Sequence, residues 1–248
     1  MTIWNSLVEG LGSILIFFHD KTEAFTGANA WGWGIVLLTV VVRVVLLPLA
    51  VKQTNSMRAM QQLQPEIKKL QTKYKTDRQM MKTNPEKYRE RRQKQQEATM
   101  ALYKEHGVNP AAGCLPLLLQ MPIFFALFRV LVNPEYIPEL SQGAFYIVRD
   151  LTSVPTTVGL GAYVLVLAMG ATTFVSQRQM MASNPSAAAQ PQQKVLLYVM
   201  PLMLVVFGFN MPVGVLLYWV TTNLWTLGQQ YVMFRNIQPA AGAKTAQA

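Results

Sequence analysis

Apolar residues fill nearly every position of residues 31–51, and comparable runs recur at 111–132, 155–176, 195–211 and 212–234. About 20 such residues at a rise of about 1.5 Å each cross the hydrocarbon of a bilayer as one helix. The pattern therefore predicts five membrane-spanning helices, the last two joined by almost no loop. The first 30 residues follow a different rhythm. Ile3, Trp4, Leu7, Val8, Leu11, Ile14, Leu15 and Phe18 recur at three- and four-residue spacing, which predicts an amphipathic helix lying in the membrane interface. The stretch has no basic start and Glu9 interrupts it, which argues against a cleaved signal peptide.

Between the first two spans the pattern changes again. Met57, Met60, Leu63, Ile67, Leu70 and Tyr74 form a stripe flanked by Lys68, Lys69, Lys73 and Lys75, which predicts an amphipathic helix. Thr83-Asn84-Pro85 supplies a turn, and Pro85 is placed to open a second helix over residues 86–105. The expected fold is an all-α membrane protein. Residues 1–30 form the N-terminal interfacial helix, 31–51 the first span, 52–110 a basic helical hairpin, 111–234 spans two to five, and 235–248 a short tail.

Charge placement gives this architecture a direction. The 248 residues carry 22 Lys and Arg against 12 Asp and Glu, a formal net charge of +10. The segment 52–110 holds 14 of the 22, Arg178, Lys194, Arg235 and Lys244 lie on the same side, and only Lys21 and Arg149 lie opposite. Positively charged loops stay in the cytoplasm, so the N-terminus is expected outside and the C-terminus inside the cell. The hairpin's net +8 reads as a solvated positive loop or as a platform for anionic partners, lipid headgroups or ribosomal RNA. No aromatic interleaving accompanies it, which argues against sequence-specific nucleic-acid binding. A lone Cys114 excludes an internal disulfide, and two distant His give no metal-ligand cluster. No phosphate loop and no nucleophile with a base can be found. No catalytic residue, cofactor or enzymatic activity is expected.

Polar residues inside the spans carry the functional signal. Arg43 lies in the first apolar run, where a guanidinium costs roughly 2.5–3.5 kcal/mol on insertion scales and normally faces a polar cavity or partner. The competing reading is snorkelling toward Lys52, about 13 Å away at the helical rise. Thr39 stands one turn before Arg43. Pro116, Gln120 and Pro122 interrupt the second run, Thr172 and Thr173 the third, and Trp219 and Asn223 share a face of the last. Each polar residue alone could simply join helices by hydrogen bonds. Together they suggest one shared hydrated cavity.

Five motifs then occur in order: Arg43-Val44-Val45-Leu46-Leu47-Pro48-Leu49; Gln64-Pro65-Glu66-Ile67-Lys68-Lys69-Leu70; Leu102-Tyr103-Lys104-Glu105-His106-Gly107-Val108-Asn109-Pro110; Gly113-Cys114-Leu115-Pro116 with Gln120-Met121-Pro122-Ile123-Phe124; and Leu217-Tyr218-Trp219 with Asn223. Over roughly residues 30–235 the chain resembles the YidC family of membrane-protein insertases, Oxa and Alb relatives included, in its short five-span form. It lacks the extra first span, large periplasmic domain and lipoprotein-type signal of many Gram-negative members. It also lacks the long basic tail of others, which removes the expectation of strong tail-mediated ribosome binding. The resemblance implies a membrane groove closed to the outside, with Arg43 at its centre, Thr39 one turn away, and Gln120, Phe124 and Trp219 along its walls. Asn223 and Thr173 are further candidates, with Gln177 beside Thr173. It also implies an insertase and chaperone, active as a monomer on nascent membrane proteins, with the Sec translocon, the translating ribosome and anionic lipids as partners. A small anion transporter or channel using Arg43 is the alternative, though the two halves show no repeat of the kind many transporters carry. An assembly chaperone that holds helices without inserting them is a third.

Overall fold

The computed structural model describes residues 3–74, 78–109, 115–133, 135–182 and 191–234. Lys75, Cys114, Arg235, Lys244 and the side chains of Met57, Pro116 and Lys194 lie outside the described residues. Among the described residues eleven α-helices run in chain order: α1 (Ile3–Thr26), α2 (Ala30–Val45), α3 (Leu47–Gln62), α4 (Gln64–Lys73), α5 (Arg78–Thr83), α6 (Pro85–Glu105), α7 (Leu115–Val132), α8 (Pro155–Val158), α9 (Leu160–Ala182), α10 (Pro191–Gly208) and α11 (Val213–Phe234). No strand occurs among the described residues, only an isolated bridge between Phe145 and Val148. The protein is all-helical.

Proline chemistry places the breaks. Pro48 cannot donate to the carbonyl of Val44, and the chain steps from α2 to α3 at Leu46. The helix then resumes through Lys52 to Gln62. Pro65 sits in the first turn of α4 and fixes a second step at Leu63. The first hairpin arm is therefore three pieces, α3, α4 and α5, where the apolar stripe suggested one helix. Asn84 caps α6 by accepting from the Lys87 amide, with Pro85 in the first turn.

The core forms around α11, which packs against α9, α2 and α7. Val213, Val215, Leu216, Leu217, Tyr218 and Val220 are buried along it. The chain reverses between α1 and α2 at Gly27, whose φ of +52° an L side chain would resist. α1 then lies back along α2, with Leu15 against Gly34 and His19 stacked on Trp31 at 3.9 Å, and it also packs on α7. Of its apolar stripe, Val8, Leu11 and Leu15 enter the core, while Ile3 and Ile14 remain exposed together with Phe17 and Phe25 from its other face. α10 packs on α9 and leaves Val195, Tyr198, Leu202 and Val206 exposed. Among the described residues, α9 over Leu160–Met181 is long and apolar enough to cross a bilayer, and apolar stretches also run through Ile3–Val45, shared by α1 and α2, and through parts of α7 and α10.

The two ends of the bundle differ. At one, the loop from Asn133 to Val154 buries Ile137, Leu140, Val148 and Leu151, and its carbonyls cap α11: the amides of Val213 and Gly214 donate to Ser153 and Leu151 at 3.0 and 2.7 Å. Asp150 organises that cap. Its carboxylate accepts from the hydroxyls of Thr152 and Ser153 and from both their amides, at 2.5–3.2 Å. Partial burial pushes this carboxyl upward, but the four hydrogen bonds outweigh it and hold it below the usual carboxylate range. At the hairpin end, α6 buries no residue, and a cleft lined by Leu70, Ala98, Ala101 and Leu102 runs between α4 and α6. Here Arg58 donates from Nη2 to the Met233 carbonyl, and Thr54 Oγ1 approaches Met233 Sδ at 3.5 Å. The base of the hairpin thereby holds the last turn of α11.

Candidate functional site

Arg43 occupies the last turn of α2, half-buried, and its charge is felt at the phenol of Tyr218 on α11. The predicted spans contain no Asp or Glu, and no carboxylate pairs with Arg43 among the described residues. A positive charge thus sits against the bundle without a counter-charge. Tyr218 is the hinge of the cluster around it, because Gln120 of α7 donates from Nε2 to its hydroxyl.

Aromatic contacts extend the same wall. Phe124, one turn after Gln120, meets Trp219 edge-on at 5.3 Å and 82° and lies 6.3 Å from both Tyr218 and Phe128. Edge-to-face pairs of this kind are worth about 0.5–1.5 kcal/mol beyond area burial. Pro122 lies between Gln120 and Phe124 and deprives the carbonyl of Leu118 of its helical donor. Gln120, Phe124 and Trp219 are therefore brought to one locus around Tyr218, whose phenol interacts electrostatically with Arg43.

The polar groups of the other residues expected there are engaged in bonds of their own. Thr39 is only 1% exposed, and its hydroxyl donates to the Ile35 carbonyl at 2.6 Å, a bond within its own helix. Asn223 is buried and donates to Thr172 Oγ1 at 3.0 Å and Thr173 Oγ1 at 2.8 Å, tying α11 to α9. Gln177 reaches Met200 Sδ at 2.8 Å, between α9 and α10. These contacts fasten helices to one another. Tyr218 stands in the Leu217-Tyr218-Trp219 motif, but the one-turn spacing of Trp219 and Asn223 draws attention to their shared face and away from it. Its signal was the phenol itself: a buried hydroxyl in an apolar helix must find a partner, and Gln120 supplies one. No group of His, Cys, Asp and Glu among the described residues is arranged to hold a metal ion.

The comparisons with known proteins converge on one family. A family model described as 60Kd inner membrane protein matches residues 22–85 and 85–240. The chain belongs to this family. The membrane protein insertase YidC of Streptomyces avermitilis is 38% identical over 262 residues, which cover 93% of this chain and 58% of that protein. The membrane protein insertase MisCA of Bacillus subtilis is 39% identical over 230 residues, covering 93% and 78% respectively. A crystal structure of an active YidC insertase with its first transmembrane domain resolved matches with a TM-score of 0.65 at 28% identity, over 96% of this chain and 48% of that one. The chain thus spans between about half and about three quarters of the length of these 60Kd inner membrane protein relatives.

Proposed function

We propose that this protein is a membrane protein insertase that receives the polar end of a nascent transmembrane segment beside Arg43 and releases the segment to lipid. The observation that carries the reading is the unpaired Arg43 at the Tyr218, Gln120, Phe124 and Trp219 cluster, in a family whose relatives are named insertases. Five spans with the N-terminus outside, α1 at the interface and the basic hairpin in the cytoplasm complete it.

The chemistry is electrostatic and non-covalent. A charge pair at about 4 Å is worth about 1 kcal/mol in water but about 4 kcal/mol at an effective dielectric near 20. Arg43 therefore attracts an acidic client end part of the way across, while the amide of Gln120 and the Tyr218 hydroxyl offer hydrogen bonds to a polar backbone. Phe124 and Trp219 give the client's apolar portion a dry wall. Burial of its roughly 20 apolar residues in hydrocarbon then draws the helix away. No nucleotide enters this step. The clients are nascent membrane proteins, with the Sec translocon, translating ribosomes and anionic lipids as partners and a monomer as the working unit.

A photoreactive residue replacing Trp219 in ribosome-stalled nascent-chain complexes tests the reading. Crosslinks confined to the client's transmembrane segment and its polar flank are expected. Crosslinks to lipid alone, with insertion proceeding normally, would refute it.

A further inference from the structure

We propose that the tight turn Phe145–Val148, with Arg149 beside it, is a rigid lipid-interface anchor that dips into the headgroup region at the loop end of the bundle and takes a lipid phosphate on Arg149. Phe145 and Val148 exchange both backbone hydrogen bonds, at 2.8 and 3.0 Å, which leaves Tyr146 and Ile147 as the two central residues. Tyr146 has φ +50°, a conformation that tight turns usually assign to Gly or Asn. A large aromatic is thus held in an unfavourable backbone state at the tip, where it is 65% exposed and Ile147 64% exposed. Burial cannot explain either side chain.

The turn is clamped from both sides. The ring of Phe145 covers Gly32 of α2 so closely that a Cβ there would overlap it. The Ile147 carbonyl comes equally close to Gly161 of α9. Asn29 accepts from the Tyr146 amide at 2.5 Å, and Trp33 Nε1 donates to the Tyr146 hydroxyl at 3.3 Å. Val148 is fully buried beneath. A loop meant only to connect two helices would be polar and loosely held.

Continuity identifies the occupant. Ile147 sits against the start of α9, whose exposed apolar residues Leu160, Val164, Leu167 and Val175 descend one side of an apolar helix of membrane length. The turn extends that lipid-facing stripe beyond the helix end. Trp33, Phe145 and Tyr146 form a chain of edge-on contacts at 5.9 and 4.9 Å, the residue type that belongs at headgroup level. Arg149 is exposed and pairs with no carboxylate among the described residues, while its neighbour Asp150 is committed to Thr152 and Ser153. The patch is apolar with a single cation at its edge, which suits an anionic lipid.

The inference rests on α9 spanning the membrane and not on insertase activity, and its test separates the two. The full chain, with Cys114→Ser and an environment-sensitive fluorophore on Ile147→Cys or, separately, Leu167→Cys, is reconstituted in phosphatidylcholine vesicles with and without phosphatidylglycerol. Spin-labelled lipids should place the 147 probe within about 5–10 Å of the headgroup boundary and the 167 probe deeper. Quenching at 147 by headgroup-labelled phosphatidylglycerol should exceed that by phosphatidylcholine, and Arg149→Ala should abolish the difference. A 147 probe reached freely by aqueous iodide and untouched by lipid quenchers, with 167 buried in lipid, overturns the anchor and leaves the surface to a protein partner. Exposure of both probes would instead overturn the spanning reading, and an unchanged lipid preference in Arg149→Ala would overturn the phosphate contact.

Discussion

Arg43 concentrates the residue-scale question, because its charge has no counterpart among the spans. Arg43→Ala should slow insertion of clients with acidic leading ends by about tenfold or more, the equivalent of about 1.4 kcal/mol on the barrier. Arg43→Lys should keep most of the rate, since attraction of a flexible carboxylate needs a point charge more than a planar fork. Reconstituted insertion assays with clients of graded charge decide it; equal rates for all three proteins would remove the electrostatic role. Asn223 makes a different kind of contribution. Asn223→Ala should lower bundle stability by about 0.6–1.7 kcal/mol, the range for interhelical side-chain bonds in membranes, and leave client crosslinking at Trp219 in place. A stability curve in graded detergent denaturant measures the first part.

Between elements, the wall of the site depends on α7 meeting α11 through Phe124 and Trp219. A double-mutant cycle with Phe124→Ala and Trp219→Ala should return a coupling of about 0.5–1.5 kcal/mol in bundle stability. Additive effects would mean that the rings act separately. At the loop end, Asp150 links pH to the cap on α11. Its carboxyl lies below the ordinary value, so its stabilisation is present above the unfolded pKa of about 3.9 and fades as pH falls through the folded one. Hydrogen exchange at the Thr152 and Ser153 amides, corrected for intrinsic rate, should rise in acid below about pH 4. Asp150→Asn should flatten that dependence.

The helices were legible from apolar run lengths and spacing, and several of their ends from Pro65, Asn84 and Pro85. Pro48 was in plain view as well, yet a continuous apolar run hid the step at Leu46, since hydropathy does not register a missing amide donor. The docking of α1 on α2 and α7 was illegible for a related reason: Ile14 and Phe17 are as apolar as Leu11 and Leu15, and only tertiary packing decides which of them faces the bundle. Gln120, Phe124 and Trp219 meet around Tyr218, a neighbourhood that polarity alone could not assign. The bond of Thr39 was not legible, because a threonine hydroxyl can satisfy itself on the preceding turn of its own helix. The Tyr146 turn carried no signal at all, as its sequence lacks the glycine that such a backbone usually demands.

At the scale of the molecule, most of the net charge sits on a hairpin whose second arm buries nothing. Replacing Lys68, Lys69 and Lys73 by Glu should weaken its hold on anionic vesicles by about 1 kcal/mol per residue near the surface while the bundle stays folded. Hairpin exchange protection, compared on neutral and anionic vesicles, reports the effect; no difference would reduce the segment to a topology signal.

The hairpin is nonetheless geared to the bundle at one place. Arg58 grips the carbonyl of Met233, and Met233 lies 15 residues along the same rod from Tyr218. At about 1.5 Å per residue that is a shaft of about 22 Å, braced along its length because backbone hydrogen bonds tie each turn to the next. A load on the hairpin base therefore falls directly on the end of α11 and not on a slack tether. The other part of that helix carries the Tyr218 phenol.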